Sequence, residues 1–246
     1  MDAMQHRQGS PPGEHRLYQT VARKIASIIR ANEHDPNWRM PSERELAELL
    51  QVSRPVVREA VIALEMRGVV EVRGRSGIVV LPSLGCQVSF EPLNADIGPG
   101  PFELLEARLA IEPGIAALAA DRVTQYDIAL LEECIARMLH EPDHDFWNEG
   151  GDQSFHFALA KMTGNVIIVG MVEALWSQRQ QSAMWHKLVE HIDVTSVRSL
   201  WIGDHHAILA ALRQRNPDAA QKAMGRHIRN VIVEFSEAED RGHLTA

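Results

Sequence analysis

Between Leu17 and Arg30 the apolar residues Val21, Ile25, Ile28 and Ile29 recur at helical spacing, so the first regular element reads as an amphipathic helix ending near Asn32. The stretch MPSERELAELLQVSRPVVREAVIALEMRGVV follows. Its Ser42 and Glu45 stand in the S-x-x-E spacing of a capping box, in which each side chain satisfies a backbone donor left open by the first helical turn. Loss of such a cap costs about 1 kcal/mol. A turn at Gln51-Val52 leads to a second expected cap, Ser53, and to Pro55, which suits a first turn because no donor is needed there. The next helix runs from about Arg54 to Arg67 and is stopped by Gly68. VVEVRGRSGIVVL then reads as two β-branched strands around the tip Arg73-Gly74-Arg75-Ser76-Gly77. Helix, helix-turn-helix and hairpin together predict a winged helix over residues 15–81, preceded by a disordered tail, residues 1–14.

From residue 82 to 101 Pro and Gly accumulate with weak periodicity, which predicts a linker. Beyond it the pattern is helical only, in segments of roughly 102–120, 124–140, 144–163, 165–190, 194–214 and 217–237. These predict an antiparallel all-α bundle over residues 102–240. The fold class is mainly α, a winged helix followed by a helical bundle.

Composition changes this picture in two ways. The net charge of −8 argues against a nucleic-acid partner until it is divided along the chain. Residues 1–80 carry 12 Lys and Arg against 10 Asp and Glu, so the acidity belongs to the bundle and the winged helix is mildly basic. The two cysteines, Cys86 and Cys134, are too few for a disulfide framework. With no signal-peptide pattern and no apolar run of bilayer length, they predict a cytoplasmic protein without membrane contact.

A helix that reads DNA needs multi-donor side chains near its N-terminus and apolar ones toward its partner helix. Arg54 and Arg58 lie four apart on one face, while Val56, Val57, Ala60, Val61 and Leu64 supply packing. Arg44, Arg73 and Arg75 add cations on the preceding helix and the wing. Each arginine alone reads as a solvated residue; the combination points to double-stranded DNA. The stretch PSERELAELLQVSRPVVREAVIALEMRGVVEV resembles the winged helix of the GntR family of bacterial transcription regulators. The resemblance implies DNA contacts by Arg44, Ser53, Arg54 and Arg58, with Arg73, Gly74 and Arg75 on the wing. Pro55 departs from the family, where a hydroxyl residue is common, and Asn37-Trp38-Arg39-Met40 replaces a glycine-containing approach to the cap.

In the bundle, GDQSFHFALA places Asp152 and His156 one turn apart. In WIGDHHAIL, His205 shares a stripe with Ile208, Leu209 and Leu212, whereas His206 is rotated about 100° away. His205 and His227 are equidistant from Asn216, so in two antiparallel helices joined there they can face each other. One carboxylate and three imidazoles suit Zn²⁺, Ni²⁺ or Mn²⁺ with positions left for another ligand. Periodicity alone equally allows buried core histidines.

The bundle resembles the FCD effector domain of the FadR-type branch of the family, and the resemblance implies metal ligation by Asp152, His156, His205 and His227. FELLEARLAIEP resembles that domain's opening, which implies that Arg108 reaches the effector; the residue-level alternative is an ion pair with Glu112. More narrowly, MWHKLVEHIDVTSVRSLWIGDHHAILAAL resembles regulators of hexuronate utilisation. That implies a homodimeric repressor answering a sugar acid, with Trp185 and His191 as further effector contacts. Lactate, another sugar acid or a metal-free acyl thioester are alternative effectors. A metal-dependent hydrolase or lyase fused to the winged helix is disfavoured, because no general base or nucleophile motif stands beside the ligands.

Overall fold

The computed structural model describes residues 16–35, 37–73, 76–82, 97–140, 142 and 150–237. The expected tail (residues 1–14), the wing-tip residues Gly74 and Arg75 and most of the expected linker lie outside them.

Three helices and a hairpin form the N-terminal part: α1 (Leu17–Asn32), α2 (Glu43–Leu50), α3 (Arg54–Glu65), β1 (Val70–Arg73) and β2 (Gly77–Val80). The capping box forms as the sequence requires. Glu45 N donates to Ser42 Oγ, and Ser42 N donates back to Glu45 Oε2 at 2.8 Å. Gln51 takes the left-handed conformation, φ 55°, and so turns the chain sharply between α2 and α3. Ser53 occupies the N-cap position of α3, but its side chain makes no capping hydrogen bond, contrary to expectation. The wing pairs antiparallel with Val70 opposite Val80 and Arg73 opposite Gly77. Val21, Ile25, Leu46, Val57, Val61 and Leu64 close the core beneath it.

The C-terminal part contains α4 (Pro101–Arg122), α5 (Gln125–His140), α6 (Gly151–Met162), α7 (Val166–Gln181), α8 (Ala183–Val189), α9 (Val194–Arg213) and α10 (Pro217–Glu237). Helix α4 packs along α10, α10 along α9, and α5 and α6 against each other. The segment expected as one helix over 165–190 is two. Ser182 ends α7, and its hydroxyl accepts from Trp185 N at 3.1 Å to start α8. Among the described residues, no helix is long and apolar enough to cross a membrane.

The two parts share packing. Tyr18, Ile62 and Ala63 of the winged helix are buried in the same apolar cluster as Phe102 and Leu105. Glu59 of α3 accepts a hydrogen bond from Phe102 N at 2.9 Å and thereby caps the first turn of α4. The approach is so close that a β-carbon on Gly100 would overlap the Glu59 carboxylate.

Burial, only partly offset by these backbone donors, pushes the Glu59 carboxyl up to about 7. The folded state therefore holds this proton more tightly than the unfolded chain does. Stability present at low pH is lost as pH rises toward 7. Relative to Glu59→Gln, the wild-type protein should lose about 2–3 kcal/mol across that window, read from urea midpoints at several pH values.

Candidate metal centre

Helix α6 supplies Asp152 and His156 one turn apart, α9 supplies His205, and α10 supplies His227. One donor atom from each lies within 4.8 Å of the others. The short link between α9 and α10, where Arg215 adopts φ 48°, returns the chain so that the His205 and His227 rings stand 4.4 Å apart, centre to centre. His205 is 1 % exposed while His206 lies on the surface, so the doublet divides as its helical phase requires.

Each imidazole has an oxygen near its second nitrogen, and among the described residues the one at His205 is hydrogen-bonded to it. His205 Nδ1 lies 2.7 Å from the Trp201 carbonyl, leaving Nε2 toward Asp152 Oδ1 at 3.2 Å. His156 Nδ1 lies 2.5 Å from Glu112 Oε2, with Nε2 3.4 Å from Asp152 Oδ1. His227 turns Nδ1 toward Asp204 Oδ2 at 3.8 Å. Acceptors behind the ring are the usual means of fixing which nitrogen of a histidine faces a metal.

The charge states of His227 and Asp152 fit the same role, whereas for His156 burial is outweighed by the adjacent Glu112, which favours the protonated ring until a metal displaces that proton. Burial, joined by the neighbouring His205, pushes His227 down to about 4, which keeps its ring neutral at pH 7. Burial opposes ionisation of Asp152, but the neighbouring His156, His205 and Arg179 prevail and hold its carboxyl well below the usual range. A neutral imidazole and an ionised carboxylate are the forms that ligate. The buried Nε2 of His205 makes no hydrogen bond among the described residues, which is costly unless something binds there. The four residues thus form a donor set fit for a divalent metal ion.

A small, mostly enclosed cavity adjoins this set, lined by Arg108, Asp152, Arg179, Trp185, His205 and His227 among others. Arg108 does pair with Glu112, Nε to Oε1 at 2.7 Å, but the pair is buried rather than on the bundle surface. Arg179, which sequence reasoning did not single out, is held over two indoles. Its guanidinium carbon lies 4.3 Å from the centre of Trp176 and 4.6 Å from that of Trp185, while Nη1 reaches Asp152 Oδ2 at 3.2 Å. Burial pushes Arg179 down to about 10, so it remains a cation at neutral pH. Trp185 lines the cavity.

His191 does not reach the cavity. Its Nε2 lies 2.8 Å from Glu65 Oε2, at the C-terminal end of α3, and Lys187 Nζ lies 3.7 Å from the other oxygen of that carboxylate. Glu65 also accepts from Val72 N of the wing at 3.2 Å. Burial works against ionisation there, but His191 and its neighbours outweigh it and hold the carboxyl below its usual range.

The expected DNA contacts separate into two groups. Arg44 and Ser53 are exposed, and Arg73 is exposed beside Glu71 at 2.7 Å. Arg54 is half-buried and donates to the Ser236 carbonyl of α10 at 3.2 Å. Arg58 departs from the expected exposed face. It is 2 % exposed and pairs with buried Glu43 at 3.0 Å, because α3 is enclosed by α2 on that side. Removing one partner of a buried ion pair strands the other charge. Arg58→Ala should therefore cost about 3–5 kcal/mol of stability, measured by denaturant unfolding, before any question of DNA arises.

Residues 17–80 match the model of the bacterial regulatory proteins of the gntR family, and residues 103–230 match that of the FCD domain. The chain is a GntR-family transcription regulator with an FCD domain. The GntR-family regulator is 40 % identical over 231 residues to the Uxu operon transcriptional regulator of Escherichia coli K12, covering 92 % of this chain and 90 % of that one. It is 39 % identical over 227 residues to the Exu regulon transcriptional regulator of the same organism, covering 92 % and 87 %. The Uxu operon regulator of Haemophilus influenzae is 36 % identical over 229 residues, covering 92 % and 84 %. These relatives are named as transcription regulators, and this chain is one rather than an enzyme.

Proposed function

We propose that this regulator is a homodimeric repressor of hexuronate catabolism genes, and that a sugar acid bound beside a Zn²⁺, Ni²⁺ or Mn²⁺ ion alters its hold on operator DNA. The observation that carries the reading is the meeting of three chemistries in one cavity: the Asp152, His156, His205 and His227 donors, the Arg108 guanidinium, and the Trp185 indole. A divalent ion held there would offer Lewis-acid positions to a carboxylate or hydroxyl oxygen. Arg108 presents a planar fork suited to a carboxylate. Trp185 supplies an apolar ring face and a buried Nε1–H that has no acceptor among the described residues. A polyhydroxylated acid uses all three. The names of the Uxu and Exu relatives favour a hexuronate over lactate.

On the DNA side, Arg44, Ser53 and Arg54 cluster at the mouth of the helix-turn-helix, where side chains enter the major groove. Two such helices per dimer would read a two-fold-symmetric operator. Helix α7 supports the dimer: Val166, Ile167 and Met171 are 81 %, 69 % and 45 % exposed, an apolar face that a second copy would cover.

The signal has a short path. Because the cavity is tight, admitting a six-carbon acid displaces its lining, and Trp185 belongs to α8. The same short helix carries Lys187 and is followed at once by His191, the two residues that hold Glu65 of the recognition helix. Ligand entry would thus shift the clamp on the DNA-reading helix directly, with no demand on the linker.

Footprinting of DNA from upstream of the protein's own gene tests the reading. Protection of a symmetric site that changes with D-glucuronate or D-galacturonate, and not with lactate, is expected. No protection, or protection indifferent to both uronates, would sink it.

A further inference from the structure

We infer that Glu112 is the positioning residue of this centre, one carboxylate oxygen fixing the His156 ring for the metal and the other tethering the Arg108 guanidinium that receives the ligand carboxylate. The inference rests on the metal reading above and adds to it a residue that links its two halves.

Glu112 is 2 % exposed, one turn beyond Arg108 on α4. A carboxylate so fully withdrawn from water persists as an anion only with close partners. It has two, of different kinds. Oε1 accepts from Arg108 Nε at 2.7 Å and Oε2 accepts from Arg108 Nη2 at 3.4 Å, while Oε2 also forms an ion-pair contact with His156 Nδ1 at 2.5 Å. A proton held on Nδ1 beside this carboxylate would leave Nε2, the nitrogen facing Asp152, to ligate.

Without a metal, the lone pair is already covered, since Arg108 Nη2 lies 3.2 Å from the same Nε2. A metal ion and this Nη2 cannot share it. A metal held at Nε2 would take the place of the Arg108 terminus, while the bond from Nε to Glu112 would still hold the other end. Arg108 lines the cavity, so the released nitrogen would be available there. Metal binding would in this way uncover the group that grips the ligand's carboxylate. By reciprocity, a bound carboxylate that draws Nη2 off His156 would raise metal affinity by the same factor.

The alternative is that Glu112 merely neutralises Arg108. Replacing both by methionine separates the two roles, because it removes the charges as a pair, a change that buried ion pairs often tolerate without loss of stability. Zn²⁺ affinity is measured by competition with a chromophoric chelator, with thermal melting of the metal-free proteins as the folding control. Arg108→Met/Glu112→Met is expected to bind Zn²⁺ about 10- to 100-fold more weakly than Arg108→Met, which likewise lacks the competing Nη2 contact, as when the acceptor behind a ligating histidine is lost. Glu112→Gln, which keeps the shape, is read in parallel by the visible absorption of bound Co²⁺ and should change that spectrum. Equal Zn²⁺ affinity in Arg108→Met and the double variant, or an unchanged Co²⁺ spectrum in Glu112→Gln, overturns the inference while leaving the metal reading standing. Failure of the wild-type protein itself to take up Zn²⁺ overturns the metal reading, and this inference with it.

Discussion

His205→Ala should abolish most of the stabilisation that Zn²⁺ gives this protein, while His206→Ala one residue away leaves it intact. At a hundredfold excess of metal over Kd, binding to the native state adds about 2.7 kcal/mol. For domains of this size that is a rise of several degrees in melting temperature, roughly 2–4 °C for each kcal/mol. His205 is buried with Nε2 directed at Asp152, and His206 is on the surface. Thermal melting with Zn²⁺ and with a chelator, on both variants, reads the contrast directly. Equal responses from the two variants would mean that the four-residue cluster is packing and not a site. The same pair of proteins titrated with D-glucuronate should show the ligand response vanish with the metal response, because Arg108 alone gives a carboxylate a single anchor.

The second large effect concerns communication rather than binding. Glu65→Ala should leave Zn²⁺ and uronate affinity near wild type yet remove most of the uronate's influence on operator affinity. Coupling free energies of this kind are typically about 1–3 kcal/mol, a change of about 5- to 150-fold in affinity, and the variant should bring that ratio toward one. Glu65 is the carboxylate on which Lys187, His191 and the wing amide of Val72 converge. It is the most direct polar bridge between the cavity-lining helix α8 and the DNA-reading unit. Electrophoretic mobility shifts with and without uronate measure the ratio. An undiminished ratio would place the communication elsewhere, in the linker or the Glu59 cap. His191→Ala should show a smaller form of the same defect, since Lys187 would still reach Glu65.

What the sequence carried, and what it withheld, follows from the range of the forces involved. The capping box of Ser42 and Glu45 is local and formed as read. The facing of His205 and His227 was legible because a tight link between antiparallel helices leaves little freedom, and residues at equal distances from it must meet. The burial of Arg58 was not legible. Its spacing from Arg54 placed both on one face, but which side of α3 meets α2 depends on tertiary packing that periodicity does not encode. The second role of Glu112 was hidden for a similar reason. An Arg and a Glu four apart look like any helix-surface pair, and only the approach of α6 reveals His156 on the far side of the carboxylate. His191 was expected as an effector contact from the resemblance of its stretch to hexuronate regulators; the partner it meets, Glu65, is 126 positions away in sequence.

The break at Ser182 has a consequence for how the cavity is built. In an unbroken helix Arg179 and Trp185, six positions apart, would point in directions about 120° apart and sit about 9 Å from each other along the axis. They would face different sides of the helix. Because Ser182 ends the first helix and its hydroxyl caps the next, the rotation is reset and the guanidinium comes to rest 4.6 Å from the indole centre. Two walls of the cavity are therefore adjacent only by virtue of an interruption, and the shape offered to a ligand is set where regular structure fails.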